Sequence, residues 1–397
     1  MLKVDVYQGR AGLAAVAEDW RQLLGSLQNK RFFHQYGWWK SYMNTLDHDP
    51  DLVSFFVVRR GGQAVAILPL KRSRRKWCGL SVQQWDLPGH LHKPLDDILC
   101  DCSVNPSDIV AALTRTLREH KAGGWDVLSF SSVLKESTLS EYAAGTHSRV
   151  VAVLLKSCDC LACVGSYEDI VEKFSRNFRS NLNKARNKLA REQKVEFRSV
   201  TSQPELTSSF AEFLEIEVSG WKGTNGTGTA IKLHPDLVQF YQSLINELGP
   251  SGAVVINSLK VGDKPIASQF CVKDDDTLYV LKLAYDEDWS RVAPGNMLLE
   301  WVIQEGIRGK EFQGVNLVGD PPWFKDWQPD SQNVYNIWLF NRTPAGLALF
   351  GAMKAKQWLK PYYLKYLKRT RVLQNPVRRR DVDDKVTGRP AGAELSD

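Results

Sequence analysis

A pattern recurs in this chain at an offset of about 200 residues. A helix-like stretch at 34–46, an apolar strand, the turn Gly61-Gly62-Gln63-Ala64-Val65-Ala66 and a second strand come back, weakly, later in the chain. There they read as a stretch at 234–248, a strand, Gly262-Asp263-Lys264-Pro265-Ile266-Ala267 and another strand. Self-similarity at a fixed offset points towards a duplicated α/β unit. The length of 397 residues agrees with two domains rather than one. With 43% apolar and 24% charged residues the chain reads as globular, which excludes collagen-like, disordered and disulfide-scaffold classes.

Periodicity places the elements. Strands are expected at 2–7, 52–59, 64–71, 80–87, 98–102, 125–130 and 150–155, with helices at 13–27, 34–46 and 106–120. The second half opens with a helix at 167–174 and a basic run to Arg191. Strands follow at 195–200, 253–260, 265–272, 278–284, 314–318 and 334–340, with helices at 204–218, 237–248 and 294–308. Thr343-Pro344 suits the start of a closing helix, and Pro361 is expected to break or restart it. The stretch 375–397, poor in apolar residues, reads as a disordered tail.

Charge is concentrated in two places. Between Lys173 and Arg198 nine Lys/Arg face two Glu, and between Ala345 and Arg380 there are ten Lys/Arg and no acid. Each patch suits phosphate-rich ligands, nucleic acid or an anionic membrane. No stretch is apolar over the roughly 18 residues of a membrane span, and the first residues lack the apolar core of a signal peptide. Seven irregularly spaced cysteines fit reduced thiols in a cytoplasm. The group Cys158-x-Cys160-x-x-Cys163 lacks a fourth ligand, so no metal is expected.

One segment carries chemistry. The strand Leu278-Tyr279-Val280-Leu281-Lys282-Leu283-Ala284-Tyr285 feeds a loop, and the loop feeds a helix opening Pro294-Gly295-Asn296-Met297. Free N–H groups at that helix start suit an anion, Gly295 lets a ligand approach the backbone, and Arg291 can add a charge-assisted bond. A second segment, Glu217-Val218-Ser219-Gly220-Trp221-Lys222-Gly223, ends a helix and starts a Gly/Thr-rich loop. Trp221 and Lys222 are substrate-binding candidates there, with Glu217 as an acid or base. In Asp320-Pro321-Pro322-Trp323-Phe324-Lys325-Asp326-Trp327, Lys325 is a candidate for oxyanion stabilisation and Trp327 for substrate binding. His90, His92, Asp96 and Asp97 lie where the first domain should face the second, which makes Asp96 an acceptor-binding candidate.

Glu217-x-x-Gly220-Trp221-Lys222-Gly223 and Leu283-Ala284-Tyr285-Asp286 before Pro294-Gly295 resemble the GNAT acyltransferases, in the FemAB-like branch of the CelD/BcsL type associated with cellulose or exopolysaccharide biosynthesis. Phe174-Ser175-Arg176-Asn177-Phe178-Arg179-Ser180-Asn181-Leu182-Asn183-Lys184-Ala185 resembles the basic helix that opens that branch's second domain. The resemblance implies an α/β fold of mixed (α+β) sheets: two tandem GNAT-like domains with a C-terminal helix. The expected divisions are 1–155, without cofactor; 156–344, binding acyl-coenzyme A; 345–373, basic closing helices; and 374–397, the tail.

It also implies an acyl group, most simply acetyl, moved from coenzyme A to an amine or hydroxyl acceptor without a covalent enzyme intermediate. Leu283, Ala284 and Tyr285 would run beside the pantetheine arm, and Arg291, Pro294, Gly295, Asn296 and Met297 would hold the pyrophosphate. Glu217 or a water would accept the proton, and Tyr285 is a candidate for returning one to the thiolate. An aminoacyl-tRNA-dependent ligase and a non-catalytic nucleic-acid- or membrane-binding scaffold are the alternatives. No specific nucleic acid is expected, but a weak contact of Lys360 to Arg380 with an anionic membrane or polyanion is. The expected location is cytoplasmic, peripheral at the inner face of the membrane.

Overall fold

The computed structural model describes residues 2–27, 30–77, 79–119, 124–145, 149–192 and 194–374. Its first half runs β1 (Lys3–Gln8), α1 (Gly9–Ala15), α2 (Ala17–Ser26), α3 (Tyr36–Thr45), β2 (Val53–Arg60), β3 (Gln63–Trp77), β4 (Leu80–Asp86), β5 (Leu99–Cys100), α4 (Pro106–Glu119), β6 (Val127–Leu134), α5 (Thr138–Gly145) and β7 (Val150–Ala162). Its second half runs α6 (Tyr167–Glu172), α7 (Arg176–Leu189), β8 (Val195–Val200), α8 (Glu205–Ser219), α9 (Pro235–Leu248), β9 (Val254–Val261), β10 (Lys264–Asp274), β11 (Thr277–Tyr285), α10 (Pro294–Gly309), β12 (Gly314–Asn316), β13 (Asp330–Phe340) and α11 (Pro344–Gln374).

The duplication is visible in the ladders. In the first half β1, β2, β3 and β4 pair antiparallel in sequence, and β4 then pairs parallel with β6. In the second, β8, β9, β10 and β11 pair antiparallel, and β11 then pairs parallel with β12. Gly61 and Gly62, both at positive φ, make the tight β2–β3 turn. The mixed α/β architecture is thus as expected, two like units with a helix at the C-terminal end.

The two ladders are joined by an exchange. β7, the last strand of the first half, pairs antiparallel with β12 of the second. β13, near the end of the second half, pairs antiparallel with β6 of the first. β7 and β13 lie against each other over Asp330 to Leu339, so 13 strands form one continuous sheet. The division expected at 155/156 falls inside β7, which runs on to Ala162 because both β12 and β13 give it partners.

Other differences have local causes. β3 passes its expected end at 71 and reaches Trp77, since β4 pairs it from Lys71 to Trp77. The stretch 13–27 is two helices, broken at Val16, whose ψ is 2°. α11 runs through Pro361 without a break; a proline removes the single bond its own N–H would make, and the flanking turns carry the helix on. The side chains of 360–374, which include much of the basic stretch Lys360 to Arg380, lie outside the described residues, as do residues 375–397 and so nearly all of the expected tail. Among the described residues no helix is long and apolar enough to cross a membrane.

Two features set the site's surroundings. α7 buries Phe178, Leu182, Ala185 and Leu189 at helical spacing and turns its cations outward; Ser175 Oγ caps it by accepting from the Phe178 N–H at 3.1 Å. Between the halves, α3 packs on α9, with the rings of Trp38 and Phe240 at 5.4 Å and those of Phe32 and Tyr279 at 4.7 Å. Gly37 permits this approach: a Cβ there would lie 2.8 Å from Leu248 Cδ2 and 2.9 Å from Glu247 Cβ.

Candidate active site

β11 is paired with β10 along its length but with β12 only over Thr277 to Tyr279, so among the described residues no strand covers its other edge from Val280 onward. A β-bulge falls in the same place. Val280 pairs with Cys271 and Lys282 with Phe270, which leaves Leu281 as an extra residue. The bulge shifts the alternation of side chains. Tyr279, Leu281 and Ala284 enter the core shared by the two halves, whereas Leu278, Val280, Leu283 and Tyr285 turn to the side of α10.

The edge also presents backbone groups. The Leu283 carbonyl accepts from Lys222 Nζ at 3.2 Å, so this residue's polar groups point away from β10. By the strand's period of two, those of Tyr285 point the same way.

Opposite that edge stands the start of α10. Its first bond runs from the Met297 N–H to the Ala293 carbonyl at 3.0 Å. The Gly295 and Asn296 N–H groups precede that bond and have no partner within the helix. Leu283, Tyr285, Ser290, Ala293, Pro294, Gly295, Asn296 and Trp323 line a cavity of about 290 Å³. A Cβ on Gly295 would sit 3.5 Å from Leu283 Cδ2, so helix and strand meet here at contact distance. Asn296 is held from behind: its Oδ1 accepts from Trp327 Nε1 at 3.2 Å.

A second cavity of about 290 Å³ adjoins the first, sharing Leu283, Tyr285 and Trp323 and adding Ile216, Glu217, Gly220, Trp221, Lys222 and Ala284. Here the loop after α8 folds back on itself. Gly223 and Gly226 lie so close to the Val218 and Trp221 carbonyls that any Cβ would collide. Glu217 is buried with both oxygens engaged, Oε1 by Lys222 Nζ at 2.8 Å and Oε2 by the Ile231 N–H at 2.8 Å. Trp221 is half exposed, and its N–H donates to Glu287 Oε1 at 3.0 Å.

Leu283, Ala284, Tyr285, Pro294, Gly295, Asn296, Glu217, Trp221 and Lys222 therefore come together around two adjoining cavities. Five other candidates stand apart from them. Arg291 is exposed, paired with Glu192 at 2.8 Å and lying over the Trp289 ring. Met297 is buried beneath α10. Lys325 is drawn to the buried Asp159, donating to its Oδ1 at 2.8 Å and to Ser331 Oγ at 3.1 Å. Trp327 has no exposed surface and packs against Phe174 and Phe178, so it has no face to offer a substrate. Asp96 is buried against Lys93, whose ammonium sits 4.0 Å above the Trp39 ring. Among the described residues no cluster of His, Cys, Asp or Glu is placed to hold a metal ion; Cys158 and Cys163 enter different cores.

Trp323 and Lys282 are the residues that motif reading passes over. Trp323 lines both cavities. Lys282 interrupts an otherwise apolar strand, a signal open to inspection, and its neighbours include His92, whose Nδ1 lies 3.0 Å from the Tyr241 hydroxyl across the two halves.

Residues 176–326 match the family model described as an acetyltransferase (GNAT) domain. No curated protein matches the chain. Among solved structures, the C-terminal domain (DUF2156) of a putative lysylphosphatidylglycerol synthetase from Agrobacterium fabrum is 14% identical, with 85% of this chain and 96% of that one covered and a TM-score of 0.51. L-PGS from Bacillus licheniformis is 13% identical, with coverages of 84% and 95% and a TM-score of 0.50. FemX is 12% identical, with coverages of 84% and 98% and a TM-score of 0.53. At such identities the likeness is one of fold. The chain carries a GNAT acetyltransferase domain, and with it the class of an acyltransferase.

Proposed function

We propose that this protein transfers an acyl group, most simply acetyl, from coenzyme A to an amine or hydroxyl acceptor, within cell-envelope or exopolysaccharide chemistry. The observation that carries the reading is the cavity between the open edge of β11 and the first turn of α10. Its residues fit the donor: Gly295 and Asn296 offer N–H groups to a pyrophosphate at a helix start, and Leu283 and Tyr285 offer backbone groups to the amides of a pantetheine arm. The Leu283 N–H polarises the thioester carbonyl. The acceptor's lone pair attacks that carbon, the new bond forms, and the carbon–sulfur bond breaks. Water in the open cleft takes the acceptor's proton. Tyr285, which lines both cavities, returns a proton to the departing thiolate. Glu217, with both oxygens engaged, positions Lys222.

Titration with coenzyme A and acetyl-coenzyme A tests the reading, with micromolar binding and release of free thiol in the presence of an acceptor as the expected result. Absence of binding would overturn it. A second reading, transfer from an aminoacyl-tRNA, draws on the fold likeness to FemX and on the outward cations of α7. Salt-dependent binding of tRNA in place of coenzyme A would establish it.

A further inference from the structure

Lys282 is placed unlike the other lysines near the site, and like Lys222 it is partly buried. Lys222 is bonded to Glu217 and Lys93 to Asp96. Among the described residues the Lys282 ammonium has neither a hydrogen bond nor a carboxylate at ion-pair distance. The bulge at Leu281 is what puts it there. With the extra residue, Lys282 comes opposite Phe270, on the face where α8, α9 and the first half converge.

Its surroundings come from both halves. Phe270, opposite Lys282, packs its ring 5.0 Å from that of Tyr241, whose hydroxyl lies 3.0 Å from His92 Nδ1, so the loop carrying His90 and His92 borders this face, and the charges of Lys222 and Glu217 reach Lys282 as well. Burial, and then the charge of Lys282, hold His92 neutral, with its pKa down to about 3. His90 Nδ1 accepts from the His92 N–H at 3.1 Å, which leaves Nε2 as the protonated nitrogen and a free donor. Burial, and next the charge of Lys222, push Lys282 itself down to about 8, with Glu217 pulling the other way. A desolvated cation with donors beside it and no carboxylate at ion-pair distance is a site for an anion.

We propose that Lys282, together with the His90–His92 loop of the first half, binds an anionic group of the acceptor, a carboxylate or a phosphate. The proposal rests on the acyl-transfer reading and adds the acceptor's chemical class. It also gives the first half a task, since the histidine wall belongs to it.

The test uses the full chain. With coenzyme A at saturation, so that the first turn of α10 is filled, inorganic phosphate and acetate are titrated and thermal stabilisation is followed. The wild type is expected to be stabilised by phosphate, Lys282→Arg to retain the effect and Lys282→Met to lose it. Equal stabilisation of wild type and Lys282→Met, or none of either, overturns the proposal. Paired acceptors differing by one anionic group, such as an amino acid and its decarboxylated amine, supply the second arm. The anionic member is expected to be favoured about tenfold or more in kcat/KM, through KM, and that preference should vanish in Lys282→Met. Acceptors used equally well by both proteins overturn it. Failure of coenzyme A to bind at the outset counts instead against the acyl-transfer reading.

Discussion

Lys222 and Glu217 form an ion pair at 2.8 Å in which the carboxylate is almost wholly buried and the ammonium is about one-fifth exposed. The same ammonium holds the Leu283 carbonyl, so the loop after α8 is tied to the open edge of β11 through one side chain. Lys222→Met leaves the Glu217 carboxylate buried without its cation. Breaking such a pair costs about 3–5 kcal/mol, an amount that denaturant unfolding will read. Replacing both partners, with Glu217→Leu beside Lys222→Met, should recover much of the loss, because no charge is then stranded. A double variant as unstable as the single one would show that the pair is not what holds the loop.

Gly295 should tolerate alanine and reject glutamate. An alanine Cβ meets Leu283 Cδ2 at 3.5 Å, an ordinary contact. A glutamate side chain has only the cavity to enter, and it would bring a negative charge to the helix start that the pyrophosphate needs. Calorimetric titration with coenzyme A is expected to give near-wild-type affinity for Gly295→Ala and none for Gly295→Glu, with unchanged circular dichroism in both.

Lys282 should destabilise the protein at neutral pH. Its folded-state pKa is down at about 8 against an ordinary value of 10.5. Below about pH 8 both folded and unfolded chains carry the charge, and the whole burial penalty is felt. Between about 8 and 10.5 the unfolded chain binds the extra proton, so stability rises with pH across that window. Lys222, Glu217 and the His90–His92 loop face this group in wild type and variant alike. Lys282→Met should therefore have the higher Tm at pH 7, and its advantage should shrink towards pH 10.5; a constant difference across that range would refute the assignment.

Trp327 links the core to the donor cavity. Trp327→Phe keeps most of the ring packing on Phe174 and Phe178 but removes the bond to Asn296. The expected loss is about 1 kcal/mol of stability with weaker coenzyme A binding. Trp327→Ala opens a cavity and should cost about 3–5 kcal/mol. Weaker donor binding in Trp327→Ala alone would mean that the Asn296 bond does not matter.

The parts legible in the sequence are those whose signal is local. The basic helix after Phe174 and the run from β11 into Pro294-Gly295-Asn296 depend on spacing within a dozen residues, and the structure has both. What depends on distant pairing is not written in any window. Residues 330–340 alternate like any half-buried strand, and nothing in them names β6 as their neighbour. The bulge at Leu281 is likewise set by β10, and in the sequence it shows only as a lysine out of phase with its apolar neighbours. Trp327 and Lys325 look alike whether they face a ligand or the core. A buried ring cluster claims the first, and Asp159, 166 residues upstream, claims the second.

The exchange of β7 and β13 sets an order on the making of this protein. Ser132, in β6, waits for the side chain of Asn336, 204 positions further along the chain. During synthesis the first half leaves the ribosome with the edge of β6 uncovered, and it keeps that exposed edge until nearly the whole chain has followed. Neither unit can finish alone, and a chain stopped before residue 330 ends with two open edges rather than one missing segment. The duplicated units are thus bound into one folding event, which closes only when the last strand arrives.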